Sequence, residues 1–159
     1  MIFAAFSVAL LFAAVGADAS GPCGLATGAE VEHLLGGPEV AVPPDQIGEQ
    51  TAPYCLWASE ERRVEAKVTI WSPDELQVLG LKDADTYFSK LRQEFPNGTV
   101  RYINGVGERA FEGEFVASAA MRASGTIVVL KSGRVAVFEF VHVVPSDAHA
   151  FVANVVGRL

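Results

Sequence analysis

Positive charge is scarce in this sequence of 159 residues: 12 lysines and arginines stand against 19 aspartates and glutamates, and the formal net charge is −7. An acidic surface repels phosphate backbones and anionic lipid headgroups. Nucleic acid is therefore not an expected partner. Half of the residues are hydrophobic, which excludes a disordered chain and, at this length, allows one domain with a substantial core.

The motifs of common catalytic and cofactor sites are also missing. There is no Gly-x-Ser-x-Gly nucleophile elbow, and residues 104–107, Asn-Gly-Val-Gly, lack the longer pattern of a phosphate-binding loop. Their glycines favour a turn with positive φ instead. His33, His142 and His149 are scattered along the sequence and do not form a cluster of metal ligands. We therefore expect no metal and no cofactor, and the sequence favours a protein that is not an enzyme.

No apolar run reaches the roughly 20 residues that cross a bilayer. The longest, residues 2–15, contains one serine and no charge, and an Ala-Asp-Ala tripeptide ending at Ala19 follows it. Small residues such as Ala17 and Ala19, at the first and third positions of this tripeptide, are typical of signal peptidase sites. The pattern predicts a signal peptide at residues 1–19, cleaved after Ala19. The mature chain, residues 20–159, is then a single secreted or periplasmic domain without a stable membrane span.

The leader at residues 1–19 has an alternative interpretation. It could remain uncleaved as a membrane anchor, because an anchor is also apolar. In addition, no lysine or arginine precedes the apolar run, although signal peptides usually begin with positive charge. Either the terminal amine supplies the only charge, or the true start lies upstream of Met1.

Cysteine occurs twice, at Cys23 and Cys55. An exported chain meets an oxidising compartment, where two such cysteines usually pair, and we predict a disulfide between them. Closing a loop of this length removes roughly 3–4 kcal/mol of unfolded-state entropy in the chain model. A lipid-anchored Cys23 would need a lipobox, but Ser20 and Pro22 occupy its key positions. A metal site formed by the two cysteines would need a third and a fourth ligand, and the sequence has none at suitable spacing.

Apolar periodicity and capping signals predict an α+β fold. We expect a mostly antiparallel sheet of about six strands, because the connections are short, with N-terminal, central and C-terminal helices packed on it. Ser132-Gly133 has the length of a tight hairpin connection. Helices are predicted after the caps Thr27, Ser72, Asp83 and Ser146, and strands at residues 54–59, 64–71, 99–103, 115–122, 126–131 and 134–144.

Glu139 is the first of three candidate site residues. It lies among valines on one face of the strand predicted at residues 134–144, which is apolar on both faces and therefore expected to be central. Desolvation there would raise its pKa and suit a general acid or base. The alternatives are a structural pairing with a basic residue such as Arg122, or an opening at the sheet edge.

His142 and Trp71 are the other two candidates. Alternation along the strand places His142 on the same face as Phe138 and Phe140, a position more typical of a core histidine than of a metal ligand. Trp71 lies on the wetter face of its strand beside Pro73. An exposed Trp71 would mark a contact surface; covering by the following helix is the alternative.

Three segments of the sequence carry a family resemblance: Cys23-Gly-Leu-Ala-Thr27-Gly-Ala-Glu30-Val31, Cys55-Leu-Trp57 and Gly105-Val106-Gly107-Glu108-Arg-Ala110-Phe111. They resemble a group of bacterial secreted and lipid-anchored domains of unknown function. That group has a Cys-x-Leu-x-Thr-x-x-Glu-Val start, a second cysteine before an aromatic residue and a Gly-x-Gly-Asp/Glu-x-Ala segment. The resemblance implies an exported, disulfide-tied domain and a likeness to the PsbP/Mog1-type α/β sandwich, and the group has no established catalytic residues to carry over. Its members often carry a lipobox, which this sequence lacks.

These observations favour a non-enzymatic module of the cell envelope or extracellular space that binds an unknown protein or small ligand. One alternative is a small hydrolase or isomerase that uses Glu139 or His142. A cleft shared by both residues would favour that enzyme. Another alternative is an accessory subunit of an envelope complex, which would expose a large apolar patch.

Overall fold

The computed structural model describes residues 21–38, 40–41, 52–59, 61–113, 115–117 and 123–159. The predicted signal peptide and Arg122, the suggested partner of Glu139, lie outside these residues.

The described residues form a short 3-10 helix, four α-helices and eight strands. The 3-10 helix is Pro22–Leu25, and the α-helices are α1 (Gly28–Leu35), α2 (Pro73–Val78), α3 (Ala84–Glu94) and α4 (Pro145–Val156). The strands are β1 (Val40–Ala41), β2 (Tyr54–Ser59), β3 (Val64–Trp71), β4 (Arg101–Ile103), β5 (Arg109–Glu112), β6 (Val116–Ala117), β7 (Ala123–Lys131) and β8 (Arg134–Val143).

All strand pairs in the described residues are antiparallel and belong to one sheet, in the order β1-β2-β3-β8-β7-β5-β4, with β6 also pairing with β7. β1 and β6 have two residues each, so six strands are longer than that. The α+β prediction is confirmed. β8 lies between β3 and β7, the central position that its two apolar faces predict.

Helices cover both faces of the sheet. On one face, α1, α4 and the 3-10 helix pack over a core that includes Leu35, Trp57, Val68, Phe138 and Phe151. On the other face, α2 and α3 pack over a second core, whose members are Leu76, Ala84, Tyr87, Phe88, Phe111, Val128, Leu130 and Val135. Residues directly opposite on paired strands share a face, so each core continues from strand to strand across the sheet.

Local capping chemistry sets the helix starts. The backbone amide of Thr27 donates to Glu30 Oε2 at 2.8 Å, and the amide of Glu30 donates to Thr27 Oγ1 at 3.3 Å, which completes the predicted capping box of α1. Asp83 Oδ1 accepts from the amide of Thr86 at 2.7 Å at the start of α3. The prediction for the last helix is wrong by two residues: Val144 is its N-cap rather than Ser146, because Pro145 already occupies the first helical position.

One turn and two strands show how far short sequence signals predict the structure. Ser132 and Gly133 both have positive φ, at 52° and 71°, in the predicted two-residue connection between β7 and β8. β5 was not predicted, because four residues following a glycine-bearing loop are too few to show a period. The predicted strand at residues 115–122 is described only as β6, at its beginning.

The predicted disulfide between Cys23 and Cys55 is present, with the two Cα atoms 5.0 Å apart. It joins the 3-10 helix to β2. None of the helices in the described residues combines the length and the apolar character needed to cross a membrane.

Candidate functional site

Glu139 is half-exposed rather than desolvated. Its Oε2 lies 3.0 Å from Nζ of Lys67, its directly opposed neighbour on β3, and its side chain is 49% exposed. The expectation of a carboxylate buried among valines is therefore corrected: the neighbouring lysine and solvent both reach it. Pairing with a basic residue was the structural alternative, and the partner is Lys67.

His142 does not lie on the face of Phe138 and Phe140, because β8 contains a bulge. Val143 pairs with Ala123, whereas Phe140 pairs with Gly125, so one extra residue enters β8 between them. His142 accommodates the extra residue by adopting a positive φ of 56°. Its ring is exposed, and Nδ1 lies 3.1 Å from the carbonyl oxygen of Arg63. Val143 is buried instead. The expected core position of His142 is corrected for this reason.

Trp71 is partly buried on the second core. Its ring meets the ring of Tyr87 of α3 edge to face, with centroids 5.2 Å apart. Helix packing therefore covers the side chain. The same burial, aided by the charge of Glu94, raises the pKa of Tyr87 above its ordinary value.

A buried carboxylate that the sequence analysis did not single out lies on β5, next to the edge strand β4. Glu112, in β5, is 4% exposed. Arg101, directly opposite in β4, contacts Oε1 through its guanidinium, and His149 of α4 places Nε2 2.5 Å from Oε2. Each carboxylate oxygen thus has its own partner, which compensates the cost of removing the charge from water.

This contact determines how the imidazole of His149 is held. An ionised carboxylate can only accept, so the proton of the His149–Glu112 hydrogen bond is on Nε2. The ring of Phe115 meets the imidazole edge to face with centroids 5.9 Å apart, and Phe115 stacks in turn on Phe140. Tautomer and ring position are both restrained by neighbours on the sheet.

His149 also lines a cavity of about 260 Å³ between α4 and the segment that follows β4. The buried side chains Ile127 and Val152 belong to its walls. Ile127 is the direct cross-strand neighbour of Glu112, so the carboxylate and this wall share one face of the sheet. The other lining residues are Ile103, Val106, Ala150 and Ala153.

A second cavity, of about 330 Å³, adjoins the first, because Val106 and Ala153 line both. We call the two cavities together the α4 groove. The second part is lined also by Gly105, Gly107, Glu108, Lys131, Ser132, Val156 and Gly157.

The turn that forms one side of the α4 groove depends on glycine. Gly105 and Gly107 have φ values of 77° and 59°, as their predicted role in a turn requires. Gly107 is also pressed against β7: a Cβ there would lie 2.6 Å from Val129 Cγ1 and 2.7 Å from the carbonyl oxygen of Leu130. This close approach sets the position of Val106 against α4.

The first cavity of the α4 groove is an apolar site with one oriented imidazole, whereas Glu108, Lys131 and Ser132 line the second. No serine, threonine or cysteine is among the described residues that line the first cavity. Within the described part of the chain, no group of three or more His, Cys, Asp or Glu side chains could hold a metal ion. Glu139 and His142 do not line either part of the groove.

Sequence reasoning missed Glu112 and His149 because they are 37 residues apart and come together only through the packing of α4 on the sheet. The available signal was weak: Glu112 directly follows the Gly-x-Gly-Glu-x-Ala-Phe segment that carries part of the family resemblance.

In comparisons with protein-family models, with curated proteins and with solved structures, no match to this chain was found.

Proposed function

We propose that this protein is an exported, disulfide-tied domain that acts as a non-enzymatic binding module of the cell envelope or extracellular space, with the α4 groove as its binding site. The resemblance to bacterial secreted and lipid-anchored domains supports this proposal from the sequence side.

Export is supported by two independent features. Residues 2–15 and the Ala-Asp-Ala tripeptide have the composition of a signal peptide with its cleavage site. The Cys23–Cys55 disulfide is the state that cysteines keep in an oxidising compartment and rarely keep in the cytosol.

The observation that carries the binding role is the burial of Glu112 beside the groove. An apolar residue at this position of β5 would pack on the core without the cost of desolvating a charge. Glu112 instead holds Arg101 and His149 in place, and His149 lines the cavity. A mostly apolar pocket with one oriented polar group is the usual form of a small-ligand site.

Binding is favoured over catalysis because the first cavity offers one imidazole and no serine, threonine or cysteine nucleophile among the described residues that line it. The hydrolase or isomerase alternative, as drawn from Glu139 or His142, lacks support in the geometry: Glu139 pairs with Lys67, and His142 lies at a bulge with its ring near Arg63.

Export is tested by expressing the full chain with a C-terminal tag in a bacterium and separating the periplasm and medium from the cytosol. We expect the exported fraction to begin at Ser20 and to contain no thiol that reacts with maleimide before reduction. A tagged chain retained in the cytosol with both thiols reactive would contradict the proposal.

Binding is tested by native mass spectrometry of the mature chain purified from its native envelope. We expect an adduct that organic solvent releases. Ala153→Trp should abolish it, because Ala153 lines both parts of the groove. The matched control is Gln77→Trp, at an exposed position of α2 on the other face of the sheet. Equal adduct levels in the two variants would place binding elsewhere and contradict the proposed site.

A further inference from the structure

We propose that the α4 groove selects a small molecule with an apolar body and a hydroxyl group at one end, and that the hydroxyl donates to Nδ1 of His149. This inference rests on the proposed binding function and adds the chemical class of the ligand.

The first step concerns the free ring nitrogen of His149. Nε2 is 2.5 Å from Glu112 Oε2 and carries the shared proton, because the carboxylate is an acceptor only. In the neutral imidazole, Nδ1 then has a lone pair and no proton. A ligand group that meets this nitrogen must donate a hydrogen bond.

The second step concerns the stability of this arrangement. His149 would change tautomer if Glu112 turned away, but Arg101 holds the other oxygen of the carboxylate and Phe115 packs against the ring. Glu112 and Arg101 are therefore positioning residues: they act on the ligand through His149.

The third step concerns the body of the ligand. Among the described residues that line the first cavity, His149 is the only one with a polar side chain. Any further polar group on the ligand would lose its water without gaining a partner there. The volume of about 260 Å³ lies just below the range of drug-sized pockets, which indicates a short ligand or one that continues past Val106.

The fourth step excludes ligands that carry a charged carboxylate or ammonium group in place of the hydroxyl. A carboxylate would bring acceptor oxygens against an acceptor nitrogen, near Glu112 in a protein of net charge −7. An ammonium group could donate, but Arg101 already neutralises Glu112, so its desolvation in an apolar cavity would be poorly compensated. A hydroxyl meets the requirement at least cost.

The test uses four probes with matched chains: 1-hexanol, methyl pentyl ether, hexylamine and hexanoate. Affinities of the mature, disulfide-bonded protein are measured at one mildly alkaline pH for all four probes. The reporters are the methyl ¹H–¹³C NMR signals of Ile103, Val106, Ile127 and Val152, which line the first cavity. We expect 1-hexanol to bind about three- to tenfold more tightly than the ether, the usual effect of one neutral hydrogen bond.

Two variants separate positioning from packing. His149→Phe keeps an aromatic ring and should remove the preference for 1-hexanol over the ether while both still bind. Glu112→Gln offers an amide that can donate to Nε2, so the ring proton can move to Nδ1 and the preference should fall or reverse. His33→Phe, a change of another histidine that does not line the first cavity, should leave the preference unchanged.

Three results would overturn the inference: tightest binding of hexanoate, equal binding of alcohol and ether by the parent protein, or no methyl shifts with any probe. Each leaves the proposed function standing if Ala153→Trp still removes the native adduct. If Ala153→Trp left the native adduct in place while the parent protein still preferred 1-hexanol, the result would instead contradict the proposed binding of a native ligand in the groove.

Discussion

Glu112 shows how much a single residue can depend on its partners. Its carboxylate is buried, and the two groups that compensate it, from Arg101 and His149, both reach it from the solvent side, with side chains 76% and 40% exposed. Removing one partner leaves a buried charge with incomplete compensation, whereas removing the charge itself removes the need for both. The ion pair therefore contributes more to the shape of the site than to the stability of the fold.

This difference is measurable with a double-mutant cycle on Arg101 and Glu112. We expect Arg101→Met to lower the free energy of unfolding by about 1–3 kcal/mol in the parent protein, because Oε1 of Glu112 loses its partner. In a Glu112→Met background the same change should cost under about 0.5 kcal/mol, the usual effect of a surface substitution. Urea unfolding at neutral pH gives all four values, and equal costs in both backgrounds would contradict the role assigned to Glu112.

Glu30 contributes stability that depends on pH. Hydrogen bonds from the backbone of Thr27 and from Arg158 hold the pKa of Glu30 below its ordinary value. Because the pKa is lower in the folded state, this stabilisation is present above the unfolded-state pKa and is lost as the pH falls through the folded-state pKa.

We therefore expect Glu30→Gln to lower the free energy of unfolding at pH 7 by about 0.3–1 kcal/mol, the range for a negative charge at a helix N-terminus, because the glutamine amide keeps the cap but loses the charge. The difference from the parent should shrink as the pH falls below the ordinary glutamate pKa of about 4.3 and through the lower pKa of the folded state. Urea unfolding from neutral pH to about pH 3 checks this. A comparison with Glu32→Gln, on the exposed side of α1, corrects for the change in net charge; a pH-independent difference would refute the argument.

At the scale of elements, the turn after β4 is where backbone conformation determines the site. Gly105 and Gly107 both have positive φ, but a Cβ at Gly105 would meet nothing within 4 Å, whereas one at Gly107 would collide with β7. The two positions are therefore a matched pair that separates backbone strain from steric conflict.

We expect Gly105→Ala to destabilise the protein by about 1 kcal/mol, the cost of positive φ for an L-residue. Gly107→Ala should cost more, by at least about 1–2 kcal/mol further, because backbone atoms of Leu130 cannot move aside easily. Thermal and urea unfolding of the two variants compare the costs. If Gly105→Ala were the more damaging, the packing of this turn against β7 would be wrong.

The elements differ in how far the sequence predicts them. β2 and β3 have the bounds that alternation predicts, and α1 and α3 begin where their capping residues indicate, because those signals depend on neighbours within a few positions. β8 is predicted as an element, but alternation fails at His142, where the bulge shifts every later side chain by one position. β5 carries Glu112 and is too short for its period to be seen.

At the scale of the molecule, the N-terminal segment formed by the 3-10 helix and α1 is attached to the rest of the protein at two places. The Cys23–Cys55 disulfide joins the 3-10 helix to β2, across a sequence separation of 32 residues. Close to the end of the chain, Arg158 donates through Nε to the carbonyl oxygen of Leu25 at 2.5 Å and through Nη2 to Glu30. The disulfide fixes the 3-10 helix on the sheet, and the Arg158 contacts join the end of α4, which also forms the groove, to the 3-10 helix and α1.

We expect the double substitution of Cys23 and Cys55 by alanine to lower the free energy of unfolding by about 2–4 kcal/mol. Urea unfolding of the parent with and without reductant provides the comparison: the reduced parent should approach the variant. If reduction left the midpoint unchanged, the disulfide would contribute nothing to stability, contrary to the chain-entropy argument.

What the sequence by itself determined about this protein is its α+β class, the caps of its first three α-helices, its longest strands and the pairing of its two cysteines. These follow from composition and from contacts between residues that are close in the chain. Only the tertiary structure decided the bulge at His142, the partner of Glu139 and the meeting of Arg101, Glu112 and His149 beside the α4 groove. Such contacts depend on strand register and on which helix covers which face, and neither is encoded in a local pattern.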